Sequence, residues 1–483
     1  MAELARHEQW SREAIEACQL DRVNQLWRHA VARTTYYRRM AEEYRLPDQF
    51  QSLAEFRERV PVLTKETVRA RHQEFLDPGH GAGHWHYTGG STGTPTGVFW
   101  SKTAHLEMLR AKYRFYDAWG VDVFDRMVFV WGHAASFAPG WKGRLAKWRR
   151  PLEDGLRNRL RLSAYRLGPE ECRDHLRRIA AFRPSAIYAY SSAAWLLATE
   201  ALQTGWTCPG LKFVNLTAEP AYPHIVAAVE LAFGVPAINE YGSAECGFVA
   251  GEAPDRTLRV REDIVLVETL PNADGRFDIV QTVLTNRAFP LLRYDIGDVT
   301  DAPLHTPQTG FAILENVAGR SNDSLVCRSG RRLHPVWFMT VLDQSSAVRR
   351  YRIHQRSDGA VSAELELLPQ APPLDIPQLA RRIREQLEGY PVSVTAVDRV
   401  EQTAAGKHRW ISSELSSAAG AGQGSPTGDG RRRPSVTVDR SVVESASPSI
   451  SLSASTSANE LVHVSSAAPR SEHASDVMGS IMP

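Results

Sequence analysis

The chain has 483 residues, of which 43% are hydrophobic and 23% charged, with a formal net charge of +2. That length exceeds one ordinary hydrophobic core and implies two or three domains, and the near-balanced charge gives no support to nucleic-acid binding. No run of about 18 apolar residues occurs, so no transmembrane helix and no membrane partner is expected. The N-terminal MAELARHEQWSREAIEACQL is charged and helical in pattern, without the apolar core of a signal peptide. Cys18, Cys172, Cys208, Cys246 and Cys327 are scattered, odd in number and never in C-x-x-C spacing. They point to reduced thiols and a cytoplasmic location rather than to a disulfide framework or a cysteine-rich zinc site.

Residues 5–45 read as helices, with Leu20, Val23, Leu26, Trp27 and Ala30 at helical spacing. PVLTKETVRAR at 61–71 predicts a helix capped by Thr64, with Glu66 and Thr67 in its first turn. From 84 to about 317, apolar runs of strand type (127–131, 186–190, 213–216, 236–241) alternate with amphipathic helices (104–119, 171–182, 193–203, 222–234). Such alternation implies a largely parallel α/β sheet. Residues 257–300 are more hairpin-like, as an attached β-region would be. After Gly319 short strands surround a helix at 376–389, which suggests a small α+β domain. From 412 the chain is dominated by Ser, Ala, Gly and Pro and lacks aromatic residues, so a disordered tail is expected. The expected divisions are a helical region at 1–83, a core at 84–318, a small domain at 319–411 and the tail at 412–483.

Chemistry concentrates first in YTGGSTGTPTG at 87–97. Glycine lets backbone N–H groups approach an anion, and Ser and Thr add hydroxyl donors, which together suit a loop around phosphate oxygens. No lysine stands where a Walker A loop needs it, and no dinucleotide G-x-G-x-x-G lies between a strand and a helix. Three later segments stand out in order: AEPAYP at 218–223, NEYGSAECG at 239–247 and LLRYDIGDVT at 291–300.

Taken together, the loop and these segments resemble the ANL superfamily of adenylate-forming enzymes, and within it the phenylacetate–CoA ligase branch with its CapK-like members. The likeness spans about residues 20–411. It implies a large N-terminal α/β domain with mixed sheets, a small mobile α+β C-terminal domain, and a tail outside the shared fold. It further implies that Thr88, Gly90, Ser91, Thr92, Gly93 and Thr94 form the phosphate loop. Thr94 stands where many members carry lysine, so backbone donors and Mg2+ would supply more of the charge stabilisation. Ala218, Glu219 and Pro220 correspond to the segment that lines the adenine pocket with backbone; read alone they are a Pro-terminated strand end leading into a helix. Tyr241 would offer adenine an aromatic face, with Gly242 beside it; Ser243 would donate near the α-phosphate, and Glu245 would hold Mg2+. Asp298 would take both ribose hydroxyls, while Asp295 and Arg293 read as structural. Arg320 would contact ribose or phosphate, Asp323 would be the hinge, and Lys407 in TAAGKHRW would be the mobile cation of adenylation.

The implied reaction converts a carboxylic acid to an acyl-adenylate with ATP and Mg2+, then transfers the acyl group to the thiol of CoA. An amine or a separate carrier protein's thiol is an alternative acceptor, and homodimerisation follows from the resemblance alone. A nucleotide-binding protein that has lost catalysis and works through its tail is a third reading, against which Glu245, Asp298 and Lys407 argue. Trp131, His133 and Phe137 follow a predicted strand, where they either line an acyl pocket for an aryl or arylacetic acid or pack in the core. His80, His84 and His86 have spacings that suit a metal, but no Cys- or Asp-rich neighbour accompanies them. The segment is therefore expected to be a lead into the phosphate loop. Cys246 lacks the nearby cysteine that some relatives use for zinc, since Ala253 stands at that place.

Overall fold

A computed structural model of the chain describes residues 9–87, 96–132, 154–164, 167–320, 325–329, 332–333, 338, 347–368, 373–401 and 410–415. Four helices open it: α1 (Arg12–Arg33), α2 (Thr35–Glu43), α3 (Leu53–Arg59) and α4 (Lys65–Phe75). Each begins at a Ser or Thr whose hydroxyl accepts a backbone N–H two or three residues into the helix: Ser11, Thr34, Ser52 and Thr64. Val23, Leu26, Trp27 and Ala30 of α1 are buried, as their spacing predicts.

A two-stranded antiparallel ribbon follows, made of β1 (Gly83–Tyr87) and β2 (Gly97–Ser101), and then α5 (Lys102–Asp117), capped by Ser101. Strands and helices then alternate through β3 (Met127–Trp131), β4 (Arg159–Ser163), α6 (Pro169–Phe182), β5 (Ala186–Tyr190), α7 (Ser191–Thr204), β6 (Phe213–Thr217), α8 (Pro223–Phe233) and β7 (Ala237–Ser243). The sheet is completed by β8 (Gly247–Glu252) and β9 (Leu258–Val260), giving seven strands in the order β4-β3-β5-β6-β7-β8-β9. The five strands from β4 to β7 are parallel, and β8 and β9 are antiparallel additions, so the sheet is mixed.

Alternate residues of the parallel strands serve opposite faces. Val128, Val130, Ile187, Ala189, Val214 and Leu216 join a core with α6, α7 and α8. Met127, Ala186, Tyr188, Phe213 and Ile238 join a second core with α5 and the N-terminal helices. Every residue of β5 and β6 is buried, which explains why these strands are nearly continuous apolar runs.

A second, antiparallel sheet consists of β10 (Val265–Pro271), β11 (Phe277–Val283), β12 (Tyr294–Thr300) and β13 (Val317–Arg320). It is stitched to the N-terminal segment at Leu63, whose N–H donates to Arg293 O and whose carbonyl accepts from Asp295 N. Beyond a short pair, β14 (Leu325–Val326) and β15 (Arg332–Leu333), lies a four-stranded sheet. It contains β16 (Val348–Gln355), β17 (Val361–Leu367), β18 (Val392–Val397) and β19 (Ile411–Ser413), ordered β18-β17-β16-β19, with α9 (Ile376–Gln386) between β17 and β18. Its contacts to the large sheet's layer include Arg349 donating to Leu167 O at 2.9 Å and Trp410 against Trp195, with ring centroids 6.0 Å apart.

Candidate active site at the carboxyl edge of the central sheet

Because β3, β5, β6 and β7 run parallel in register, Trp131, Tyr190, Thr217 and Tyr241 emerge along one edge of the sheet. In open α/β sheets this edge is where ligands bind. From β6 the chain passes into Ala218, whose φ of +65° lies in the left-handed region. A non-glycine residue pays about 1–3 kcal/mol there. Glu219 anchors the segment: its carboxylate accepts the Ser192 N–H at 2.8 Å and its carbonyl accepts the Ser191 hydroxyl at 3.1 Å. These groups open α7, which has no side-chain cap of its own, so Glu219 serves as the anion at that helix terminus. Both the side chain and the carbonyl of Glu219 are thus tied to the start of α7.

The turn between β7 and β8 carries the next cluster. A Cβ on Gly242 would collide with the Gly247 carbonyl, so this position admits only glycine. The Ser243 Oγ accepts the Cys246 N–H at 2.9 Å and closes the turn, leaving its own hydroxyl proton to donate elsewhere. Glu245 is only 3% exposed. Its Oε1 accepts Lys65 Nζ at 2.8 Å and the Tyr294 hydroxyl at 3.5 Å. Its Oε2 takes no hydrogen bond among the described residues.

Asp298 on β12 reaches the same place. The Tyr241 hydroxyl donates to Asp298 Oδ2 at 2.9 Å and accepts from Gln281 Nε2 at 3.0 Å. Burial, reinforced by the Asp298 charge, pushes the Tyr241 hydroxyl well above its ordinary pKa, so it remains a donor. Tyr241 therefore orients Asp298 in addition to any stacking by its ring. Arg320 stands opposite Asp298 in the β12–β13 register. Gly297 turns with φ +81° and donates its N–H to Asp295 Oδ1 at 2.8 Å. Arg293 is clamped to Glu268 by two bonds of 3.1 and 2.9 Å, in the structural role expected of it.

Beneath the edge lies a buried polar network that sequence reading missed. Glu240, one residue before Tyr241, accepts Lys112 Nζ at 2.8 Å and Asn215 Nδ2 at 2.7 Å, and both the Tyr116 and Tyr188 hydroxyls at 3.2 Å. The Lys112 ammonium also lies 4.1 Å from the centre of the Tyr188 ring. A signal was present: Lys112 falls on the apolar face of its helix with Met108 and Tyr116. Lys65 was missed too. A lysine in the first turn of a helix opposes the helix dipole, which marks it as held there by a distant partner.

Trp131 is half-buried, its ring 4.0 Å from that of Tyr190 and 5.2 Å from that of Tyr188 by centroid. Thr88, Gly90, Ser91, Thr92, Gly93, Thr94, His133, Phe137, Asp323 and Lys407 lie outside the described residues, and Arg320 is placed by its backbone alone. No helix among the described residues is long and apolar enough to cross a membrane.

No protein-family model matches the chain. It is 26% identical over 388 residues to a phenylacetate–coenzyme A ligase of Thermus thermophilus, covering 74% of this chain and 82% of that protein. It is 23% identical over 286 residues to protein CapK of Staphylococcus aureus, covering 56% and 60% respectively. Among solved structures, a 2-hydroxyisobutyryl-CoA ligase in the postadenylation state has the same fold, with a TM-score of 0.66 at 20% identity. That match covers 86% of this chain and 93% of the other.

Proposed function

Since the chain belongs to the phenylacetate–CoA ligase-like branch of the ANL adenylate-forming superfamily, we propose that it activates a carboxylic acid with ATP as an acyl-adenylate and transfers the acyl group to CoA. The observation that carries this reading is the meeting of Tyr241, Asp298 and Glu245 at one sheet edge, from two different sheets.

A carboxylate is a poor electrophile because its leaving group would be oxide; joining it to AMP creates a mixed anhydride. The attack brings two anions together at the α-phosphorus, and further negative charge builds on the departing pyrophosphate. Asp298, oriented by Tyr241, accepts both hydroxyls of the ribose and fixes the nucleoside. Ser243 donates its remaining proton beside the α-phosphate. Glu245 has one hard oxygen committed to Lys65 and a second without a donor among the described residues, a set that suits Mg2+. Mg2+ held there would offset charge on the phosphates. Residues 88–94 supply backbone and hydroxyl donors to the same charge, and Lys407 supplies the cation at the reacting carboxylate. Rotation about Asp323 withdraws Lys407 and admits the thiol, which keeps water from the intermediate.

The acid is aromatic or arylacetic: Trp131, stacked on Tyr188 and tilted against Tyr190, gives the edge an aromatic wall beside the nucleotide. The five free cysteines accord with a reducing, cytoplasmic setting. The test is ATP–pyrophosphate exchange with aryl, arylacetic, amino and fatty acids in the absence of CoA. Exchange with an aryl or arylacetic acid, followed by thioester formation when CoA is added, is expected. ATP binding without acid-dependent exchange across the panel would overturn the reading.

A further inference from the structure

Among the described residues, one group of three metal-ligating side chains converges that the adenylation reading does not use. His84 and His86 stand two apart on β1 and so share a face of that strand, and His105 comes from the first turns of α5. One ring nitrogen from each lies within 4.8 Å of the others. The ring centroids of His84 lie 4.6 Å from His86 and 5.3 Å from His105. His80, grouped with His84 and His86 in sequence, does not join them. Its Nδ1 pairs with Gly81 O at 2.7 Å and its ring lies on Phe99. His105 takes its place, brought in by the fold from nineteen residues beyond His86.

Three imidazoles without a carboxylate among them make an unfavourable cluster for a protein with nothing bound. His105 is 3% exposed, and neither of its ring nitrogens has a hydrogen-bond partner among the described residues; His86 Nε2 is buried in the same condition. Each such buried, unpaired polar atom costs about 1–3 kcal/mol. Burial holds His86 and His105 at a pKa of about 4, helped by the neighbouring imidazoles and, for His105, by Lys112. A cation would partner one nitrogen of each ring, because neutral imidazole is the form that ligates.

We propose that His84, His86 and His105 bind one Zn2+ ion, with the fourth position left to water. An all-imidazole donor set selects zinc and its late transition-metal neighbours over Mg2+ or Ca2+, which require oxygen, so the magnesium that accompanies ATP does not compete. Zinc–nitrogen bonds of about 2.0–2.1 Å place tetrahedral donors about 3.3 Å apart, so the present cluster closes on the ion by small rotations of the rings. The ion fastens β1 to α5. That matters because, among the described residues, β1 pairs with β2 alone, and it is β2, through Val98, Phe99 and Trp100, that is anchored in the core. The ribbon brackets residues 88–96 in sequence, so the ion holds the strand that leads into them.

The test uses the full chain without an added histidine tag, stripped with a chelator and titrated with Zn2+ against a chromophoric competitor, with no ATP or acid present. One equivalent is expected to bind and to raise the melting temperature. His84→Ala, at an exposed position that does not endanger folding, is expected to weaken binding by about 100-fold or more, beyond the loss caused by an outer-sphere change. It should also abolish the thermal shift. His105→Gln is expected to do the same if it folds. Co2+ in place of zinc should give visible ligand-field bands without the intense near-ultraviolet absorption of a cobalt–thiolate bond. No binding, binding unchanged in His84→Ala, or a thiolate band would each overturn the proposal. Because the readout needs neither substrate nor turnover, its outcome is independent of the adenylation reading.

Discussion

Glu240 and Glu245 lie five residues apart at the same sheet edge, and both are nearly inaccessible to solvent, at 6% and 3% exposure. Their surroundings differ completely. Glu240 receives a lysine, an asparagine and two tyrosine hydroxyls, so both its oxygens are satisfied by the protein. Glu245 receives Lys65 and a long contact from Tyr294 on one oxygen, and nothing described on the other. Burial alone therefore does not separate a fully satisfied carboxylate from one with an oxygen still open. The count of lone pairs still lacking a donor does.

Breaking the first carboxylate's surroundings should produce the largest effect. Lys112→Met leaves Glu240 buried without its counter-ion and is expected to cost about 3–5 kcal/mol of stability, measured by denaturant unfolding. Lys112→Met with Glu240→Gln should recover much of that, because the uncompensated charge is gone. Glu245→Gln should do the opposite: exchange activity falls by about 100- to 1000-fold, while the melting temperature moves little because Lys65 is near enough to solvent to rehydrate. A drop in stability as large as that of Lys112→Met would erase the distinction between the two sites.

Smaller changes sharpen the comparison. Asp298→Asn is expected to raise the KM for ATP by about 10- to 100-fold, the value of charge-assisted hydrogen bonds to the ribose, with folding preserved. Equal affinity for ATP and 2′-deoxy-ATP in this variant, against discrimination in the parent, would verify the assignment. Tyr241→Phe removes only the hydroxyl that orients Asp298, and a threefold to tenfold rise in the same KM is expected, about 0.5–1.5 kcal/mol. An effect on pyrophosphate release at saturating ATP, with the KM unchanged, would assign Tyr241 a different role.

What the sequence discloses here is what is local. MVFVW at 127–131 and AIYAY at 186–190 are strands with those same limits because their apolar runs are short and bounded. Thr64 caps its helix as its spacing demands, and helix 376–389 stops only slightly early, at Gln386. Tyr241, Ser243 and Glu245 are legible because one tight turn carries all three. Their partners are not legible. Lys65, Gln281 and Tyr294 are brought in by tertiary packing, and neither a one-dimensional period nor a motif encodes a contact between positions so far apart. The histidine grouping shows the same limit: β1 supplies two of its members at strand spacing, and the third comes from a helix whose pattern marks the position only as buried.

The stitch at Leu63 has a temporal consequence. Lys65 meets Glu245 across 180 residues, and Arg293 meets the Val60 carbonyl across 233. A ribosome adds about 5–20 residues per second, so the first helices emerge and wait on the order of 10–40 seconds before their partners exist. During that interval the apolar faces of α1 to α4 are uncovered, and the acidic turn that Lys65 will neutralise has yet to be made. The nascent chain is thus most vulnerable to sticking and cleavage in its first quarter. Synonymous codons that hasten translation between residues 76 and 295 should improve the yield of folded protein without altering a single side chain.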